Sequence, residues 1–168
     1  QMPEVLLPGK FYIAVDDTEA ALGRLAAWYR GKFDIPMVQV TGSAGKTTTK
    51  EFIALVLSAK YNTLKTQGNL NNEIGVPQML FRLEDSHTAA VIEMGMNHFG
   101  EISRLTRAVA PTVGLITNIG VSHIENLGSR AGILQAKLEI LEGMAPDAPL
   151  IVNMDNDMLR TVKLGDRP

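Results

Sequence analysis

The stretch Val38-Gln39-Val40-Thr41-Gly42-Ser43-Ala44-Gly45-Lys46-Thr47-Thr48-Thr49 constrains this chain more than any other. An apolar run feeds a glycine-bearing turn, then a Lys-Thr pair. Ile53, Val56, Leu57 and Lys60 then recur at helical spacing, with Phe52 beside them. A strand turning on glycines straight into a helix gathers backbone N–H groups, a helix N-terminus and the Lys46 charge at one place. A triphosphate needs that gathering. The glycines let amides crowd the phosphates, Lys46 supplies a point charge, and Thr47 offers its hydroxyl to Mg²⁺. The spacing here is G-x-x-G-K-T, with Val40 where the common pattern has its first glycine. The competing reading is an ordinary strand-to-helix turn closed by glycines. The strand before and the helix after favour the phosphate loop, and hence ATP or GTP.

At 168 residues the chain is expected to be one domain with a real core. Hydrophobic residues make up 45%, which argues against disorder. A net charge of -2, with no long basic run, disfavours nucleic acid as a partner. No apolar stretch approaches the ~20 residues of a membrane span, so no membrane insertion is expected. The first residues carry no signal-peptide pattern. Cysteine is absent, which removes disulfides and thiolate metal sites and fits a cytoplasmic location.

Apolar runs alternate with helical patterns along the rest of the chain. Strands are predicted over Met37–Thr41, Asn62–Thr66, Ala89–Met94, Val113–Asn118 and Leu150–Asn153. Helices are predicted near 46–60, 77–83, 100–109 and 129–144. The expected fold is therefore α/β: a parallel sheet with helices on both faces, of the P-loop mononucleotide-binding type. Asp17 and Thr18 read as the start of a connecting helix over 17–34. Residues 1–16, with Pro3, Pro8 and Gly9 around short apolar runs, read as the remnant of a preceding domain. Residues 35–168 read as the nucleotide-binding domain, itself incomplete, so a longer protein cut on both sides is expected.

In an open parallel sheet, ligands bind beyond the carboxyl ends of the strands. Polar residues gather at those ends here. The second strand leads into Gly68-Asn69-Leu70-Asn71-Asn72-Glu73, the third ends in Glu93, and the fourth ends at Asn118 before Ser122-His123-Ile124-Glu125. Glu93 and Thr47 form a carboxylate–hydroxyl pair suited to Mg²⁺ beside phosphates. A solvated strand-end carboxylate is the plainer reading of Glu93. His123 reads as a second-metal ligand, a phosphate contact, or neither. Asn71 and Asn72 read equally as turn caps. Lys137 lies on an apolar stripe through Ile133, Leu134, Leu138, Ile140, Leu141 and Met144, with Gln135, Glu139 and Glu142 more to the outside. Either it snorkels to the surface, or it is a partly buried amine with a lowered pKa.

Five segments together resemble the Mur ligase family, the ATP-dependent amide-forming enzymes of bacterial peptidoglycan synthesis. They are VTGSAGKTTTKE, TQGNLNNEIGVP, AVIEMGMNHFGEI, GLITNIGVSHIENLGS and the AKLEIL helix. The resemblance covers about residues 35–157. Within the family it is nearest to the member that joins D-Ala-D-Ala to a UDP-N-acetylmuramoyl-tripeptide. It implies that Gly42, Ser43, Ala44, Gly45, Lys46, Thr47 and Thr48 wrap the ATP phosphates, with Lys46 on the transferred group. Thr47 and Glu93 then resemble ligands of a first Mg²⁺ and His123 a ligand of a second. Lys137 matches the lysine that the family carbamylates into a metal ligand, and Asn72 matches a position lining the same site. Lys46, Lys137 and His123 are thus the catalytic candidates.

The implied reaction phosphorylates the tripeptide carboxylate from ATP, after which the D-Ala-D-Ala amine displaces phosphate. A monomer in the bacterial cytoplasm is expected. Ala44 departs from the family, where many members have Asn. The family's N-terminal UDP-sugar domain is present only as a trace and its C-terminal domain not at all, so this chain alone is expected to turn over feebly. Two alternatives remain: a nucleotide-controlled switch module without ligase activity, and another ligase of the same family, such as one adding glutamate to folate. A switch has no need for Glu93, His123 and Lys137 together. The segment Gly68–Pro77 disfavours the folate ligase.

Overall fold

The computed structural model describes residues 7–165 and 167. The expectation for residues 1–6 lies outside them. Five strands build one sheet: β1 (Met37–Thr41), β2 (Thr63–Lys65), β3 (Ala89–Glu93), β4 (Val113–Ile116) and β5 (Leu150–Val152). Their order is β2-β3-β1-β4-β5, and every pairing is parallel. Parallel neighbours need crossovers, and helices supply them. These are α2 (Lys46–Leu57), α3 (Gly75–Leu80), α4 (Glu101–Val109), α5 (Ile124–Leu127) and α6 (Arg130–Leu138). Ahead of them runs α1 (Thr18–Arg30), capped by Asp17, whose Oδ1 accepts the N–H groups of Glu19 and Ala20, both at 2.9 Å.

Side chains alternate across a strand, so each strand feeds two cores. Val38, Val40, Val91 and Leu115 meet Ile53, Ala54 and Leu57 of α2 on one face. Met37, Ala90, Ile92 and Ile116 join the larger core, to which α1, α3, α4 and α6 contribute Ala26, Met79, Ile102 and Ile133. Strand β3, paired on both sides by β1 and β2, is buried throughout, which is why its sequence reads as an unbroken apolar run up to Glu93.

The long helix expected over 129–144 is divided. α6 ends at Leu138, and a 3₁₀ turn covers Glu139–Gly143. The Thr106 hydroxyl donates to the Ile140 carbonyl at 2.8 Å. A Cβ on Gly143 would lie 2.2 Å from the Thr106 carbonyl oxygen. That close approach of α4 tightens the segment. Glu139 also turns inward rather than outward. Its carboxylate accepts Gly100 N–H at 2.8 Å and Ser103 N–H at 3.1 Å, capping α4 from across the fold. The four-residue helix α5 was beyond the reach of periodicity. Among the described residues, no helix is long and apolar enough to cross a membrane.

Candidate active site

The carboxyl ends of β1, β3 and β4 lie side by side, and the glycine loop springs from the central one. Gly42 has φ +150° and Gly45 φ +77°, and α2 begins directly after Gly45 with no side-chain cap. The first amides of α2 therefore have no intrahelical acceptor and face the loop's mouth. Ala44, Gly45, Thr47 and Thr48 are exposed, and Ser43 and Lys46 are half-buried. Lys46 Nζ donates back to the Gly42 carbonyl at 3.0 Å, which folds its ammonium over the loop.

A side chain from the neighbouring strand end braces the loop. Asn118 Oδ1 accepts Ser43 N–H at 3.1 Å and Ala44 N–H at 2.9 Å. Thr117 Oγ1 donates to the Ala44 carbonyl at 2.6 Å, and Ser43 Oγ accepts Gly120 N–H at 2.9 Å. Two of the amides expected to wrap phosphates, those of Ser43 and Ala44, are thus engaged with Asn118. A hollow of about 510 Å³ opens beside the loop, lined by Ala44, Gly45, Thr49, Thr117, Asn118 and Asn153 among others. A cleft of about 580 Å³ between α1, α3 and α4 shares no residue with the loop.

Glu93 is 2% exposed. Its Oε1 accepts Asn71 Nδ2 at 2.8 Å, and its Oε2 is buried with no hydrogen-bond partner among the described residues. A buried carboxylate oxygen left bare is costly. A hard cation would satisfy it, so this donor fits Mg²⁺. The asparagine on Glu93 is Asn71. Asn72 is exposed, and its Oδ1 accepts Ile74 N–H at 3.2 Å and Gly75 N–H at 2.8 Å, the turn-capping role.

His123 is half-buried at the head of α5 with φ +63°, a left-handed backbone that few residues other than glycine adopt. No hydrogen bond engages its ring among the described residues. Nor do three or more His, Cys, Asp or Glu side chains gather there as a metal cluster. Lys137 is 3% exposed, as its place on the stripe predicts. Burial, and then the nearby Lys46 ammonium, hold its amine down to about 7. An amine held near neutrality is a nucleophile at physiological pH.

The sheet order, the glycine loop and the helix rising from it define a P-loop-type α/β domain. The sequence model for the Mur ligase middle domain matches residues 40–165, and the chain belongs to that family. It is 49% identical over 145 residues to UDP-N-acetylmuramoyl-tripeptide–D-alanyl-D-alanine ligase of Synechocystis sp., covering 86% of this chain and 32% of the relative. The crystal structure of MurF from Acinetobacter baumannii superposes with TM-score 0.84 at 44% identity, over 87% of this chain and 32% of that one. MurF from Thermotoga maritima, solved in complex with ADP, gives TM-score 0.85 at 32% identity, over 94% of this chain and 37% of that one. The chain spans about a third of the length of the curated relatives it matches.

Proposed function

We propose that this chain is the ATP- and Mg²⁺-binding part of a ligase that joins D-Ala-D-Ala to UDP-N-acetylmuramoyl-tripeptide through an acyl phosphate. The observation that carries the reading is the bare, buried Glu93 Oε2 in a site whose phosphate loop and helix N-terminus are already formed. In this reading residues 17–34 connect a preceding domain, of which 1–16 are a remnant, to the ATP-binding domain over 35–168.

Gly45, Lys46, Thr47 and Thr48 hold the phosphates with backbone amides, and Lys46 brings its charge to the transferred group. Thr47 and Glu93 would hold one Mg²⁺, and His123 with carbamylated Lys137 a second. When bound, these ions neutralise charge on the phosphoryl oxygens. The lowered pKa of Lys137 supports its carbamylation, because the neutral amine is the form that takes up CO₂. No protein nucleophile is needed. The chain has to orient two anions, keep water from the acyl phosphate and offset charge.

Calorimetric titration with ATP tests the reading. Binding that requires Mg²⁺ and disappears in Lys46→Ala is the expected result. A folded chain that ignores Mg·ATP overturns it. Labelled bicarbonate supplied to the chain should yield a carbamate carbon signal by NMR that Lys137→Met lacks.

A further inference from the structure

Lys50 is one turn past Lys46 on α2, and it is 1% exposed. An ammonium in the interior is costly unless it is paired and hydrogen-bonded. Lys50 Nζ donates to the Thr66 carbonyl at 2.7 Å and lies 2.8 Å from Glu51 Oε1. A methionine would fill the same space without the desolvation penalty, so volume alone does not account for a lysine here.

The contact leads somewhere specific. Thr66 follows β2 directly, is itself fully buried, and its Oγ1 accepts the Glu93 N–H at 2.9 Å. Its own N–H donates to the Val91 carbonyl at 3.0 Å. Lys50 thus reaches the Glu93 backbone through a single residue. On its own helix, Lys50 stands three residues after Thr47, a spacing that puts both on one side of α2. The path Lys50–Thr66–Glu93 therefore joins the two elements that carry the Thr47 hydroxyl and the Glu93 carboxylate.

We propose that Lys50 is a positioning residue that clamps the phosphate-loop helix to the end of β3 and so sets the spacing of the two Mg²⁺-binding oxygens. The proposal rests on the nucleotide and Mg²⁺ reading above. It separates the two halves of the site. The phosphate grip belongs to the loop and Lys46, whereas the Lys50 ammonium is turned to the Thr66 carbonyl and Glu51. The cation's coordination depends on the clamp.

The test titrates Mg²⁺ into the full chain at saturating ATP and follows binding by calorimetry. In Lys50→Met the Mg²⁺ needed for half-maximal ATP binding should rise about tenfold, the scale of one lost hydrogen bond to a charged group. ATP affinity at saturating Mg²⁺ should stay near the unsubstituted value. A folded Lys50→Met with unchanged Mg²⁺ dependence overturns the proposal, as does an equal loss at every Mg²⁺ concentration, the mark of a merely structural role. Should Lys50→Met fail to fold, Thr66→Val and Thr66→Ser decide. Valine, lacking the acceptor for Glu93 N–H, should shift the Mg²⁺ midpoint, serine should restore it, and no shift in a folded Thr66→Val overturns the proposal. Amide exchange at Glu93, measured without ligand, should quicken in Thr66→Val and not in Thr66→Ser. If the unsubstituted chain binds no Mg·ATP, the nucleotide reading falls and the proposal with it.

Discussion

The carboxamide oxygen of Asn118, at the end of β4, accepts the backbone N–H of Ala44 at 2.9 Å, and it accepts that of Ser43 as well. One side chain thus sets the curvature of the loop's first half. Ala44 has no polar side chain to brace the loop from within, and the contact comes from the neighbouring strand end. Asn118→Ala should cost about 1–2 kcal/mol, two neutral hydrogen bonds in a half-buried setting. It should also weaken ATP binding. Asn118→Asp is the sharper variant, because a carboxylate keeps both acceptor contacts. Its stability should hold in urea titrations, while its charge beside the loop should lower ATP affinity about tenfold or more by calorimetry. Equal ATP affinity for Asn118→Asp and the unsubstituted chain would mean that the phosphates lie elsewhere.

Gly42 is irreplaceable for a steric reason. A Cβ there would lie 1.8 Å from Thr117 Oγ1, at a φ of +150° that side chains rarely adopt. Gly42→Ala must push the Thr117 hydroxyl off the Ala44 carbonyl, so backbone strain and a lost hydrogen bond coincide. The expected cost is about 1–3 kcal/mol in denaturant unfolding. Gly45→Ala meets no atom within 4 Å, but its φ of +77° is strained too. It should destabilise less, and comparing the two separates steric clash from backbone strain.

What could be read in the sequence follows from periodicity and position. β1 runs over Met37–Thr41 as its apolar run predicts, and Asp17 caps α1 as a helix-start residue should. Lys137 is buried because its stripe is buried. The missed features depend on contacts between distant segments, which no local pattern encodes. Asn118 looks like any polar strand end until β4 is placed beside β1. Nothing in Asn71-Asn72 says which asparagine turns toward Glu93, since that depends on how the loop closes over β3. Lys50 sits in the polar run Lys46–Glu51, whose composition suggests a solvated helix start, yet it is buried and donates to the Thr66 carbonyl beyond β2.

Glu139 shows how such a distant contact translates into stability. It supplies the N-terminal acceptor that the sequence of α4 lacks, since Gly100 has no side chain to cap with. Its negative charge also faces the positive end of α4. Glu139→Ala should cost about 1–2 kcal/mol, the range of a lost N-cap. Glu139→Gln keeps an acceptor and gives up the charge, so it should lose less, and salt should narrow the gap between glutamate and glutamine. Because Glu139 stands two residues after Lys137, both variants should also raise solvent access to the Lys137 amine, measured by its labelling rate with an amine-reactive probe.

The lowered pKa of Lys137 makes a pH-dependent contribution to stability whose sign can be worked out. Burial, and then Lys46, bring the folded-state value to about 7 from an ordinary 10.5. Above about 10.5 the amine is neutral in both folded and unfolded chains, and nothing is lost. Between the two values the unfolded chain binds the extra proton, so stability falls as pH falls. The limiting slope is about 1.4 kcal/mol per pH unit. Below about 7 the folded chain is protonated as well and the loss levels off. Without metal or bicarbonate, Lys137→Met should therefore be the more stable chain at pH 7.5, and its advantage should shrink as pH rises toward 10. Urea midpoints measured for both chains across that window check the prediction. An advantage that stays constant with pH would mean that Lys137 keeps its proton in the folded state, and the amine would then be a poor candidate for carbamylation.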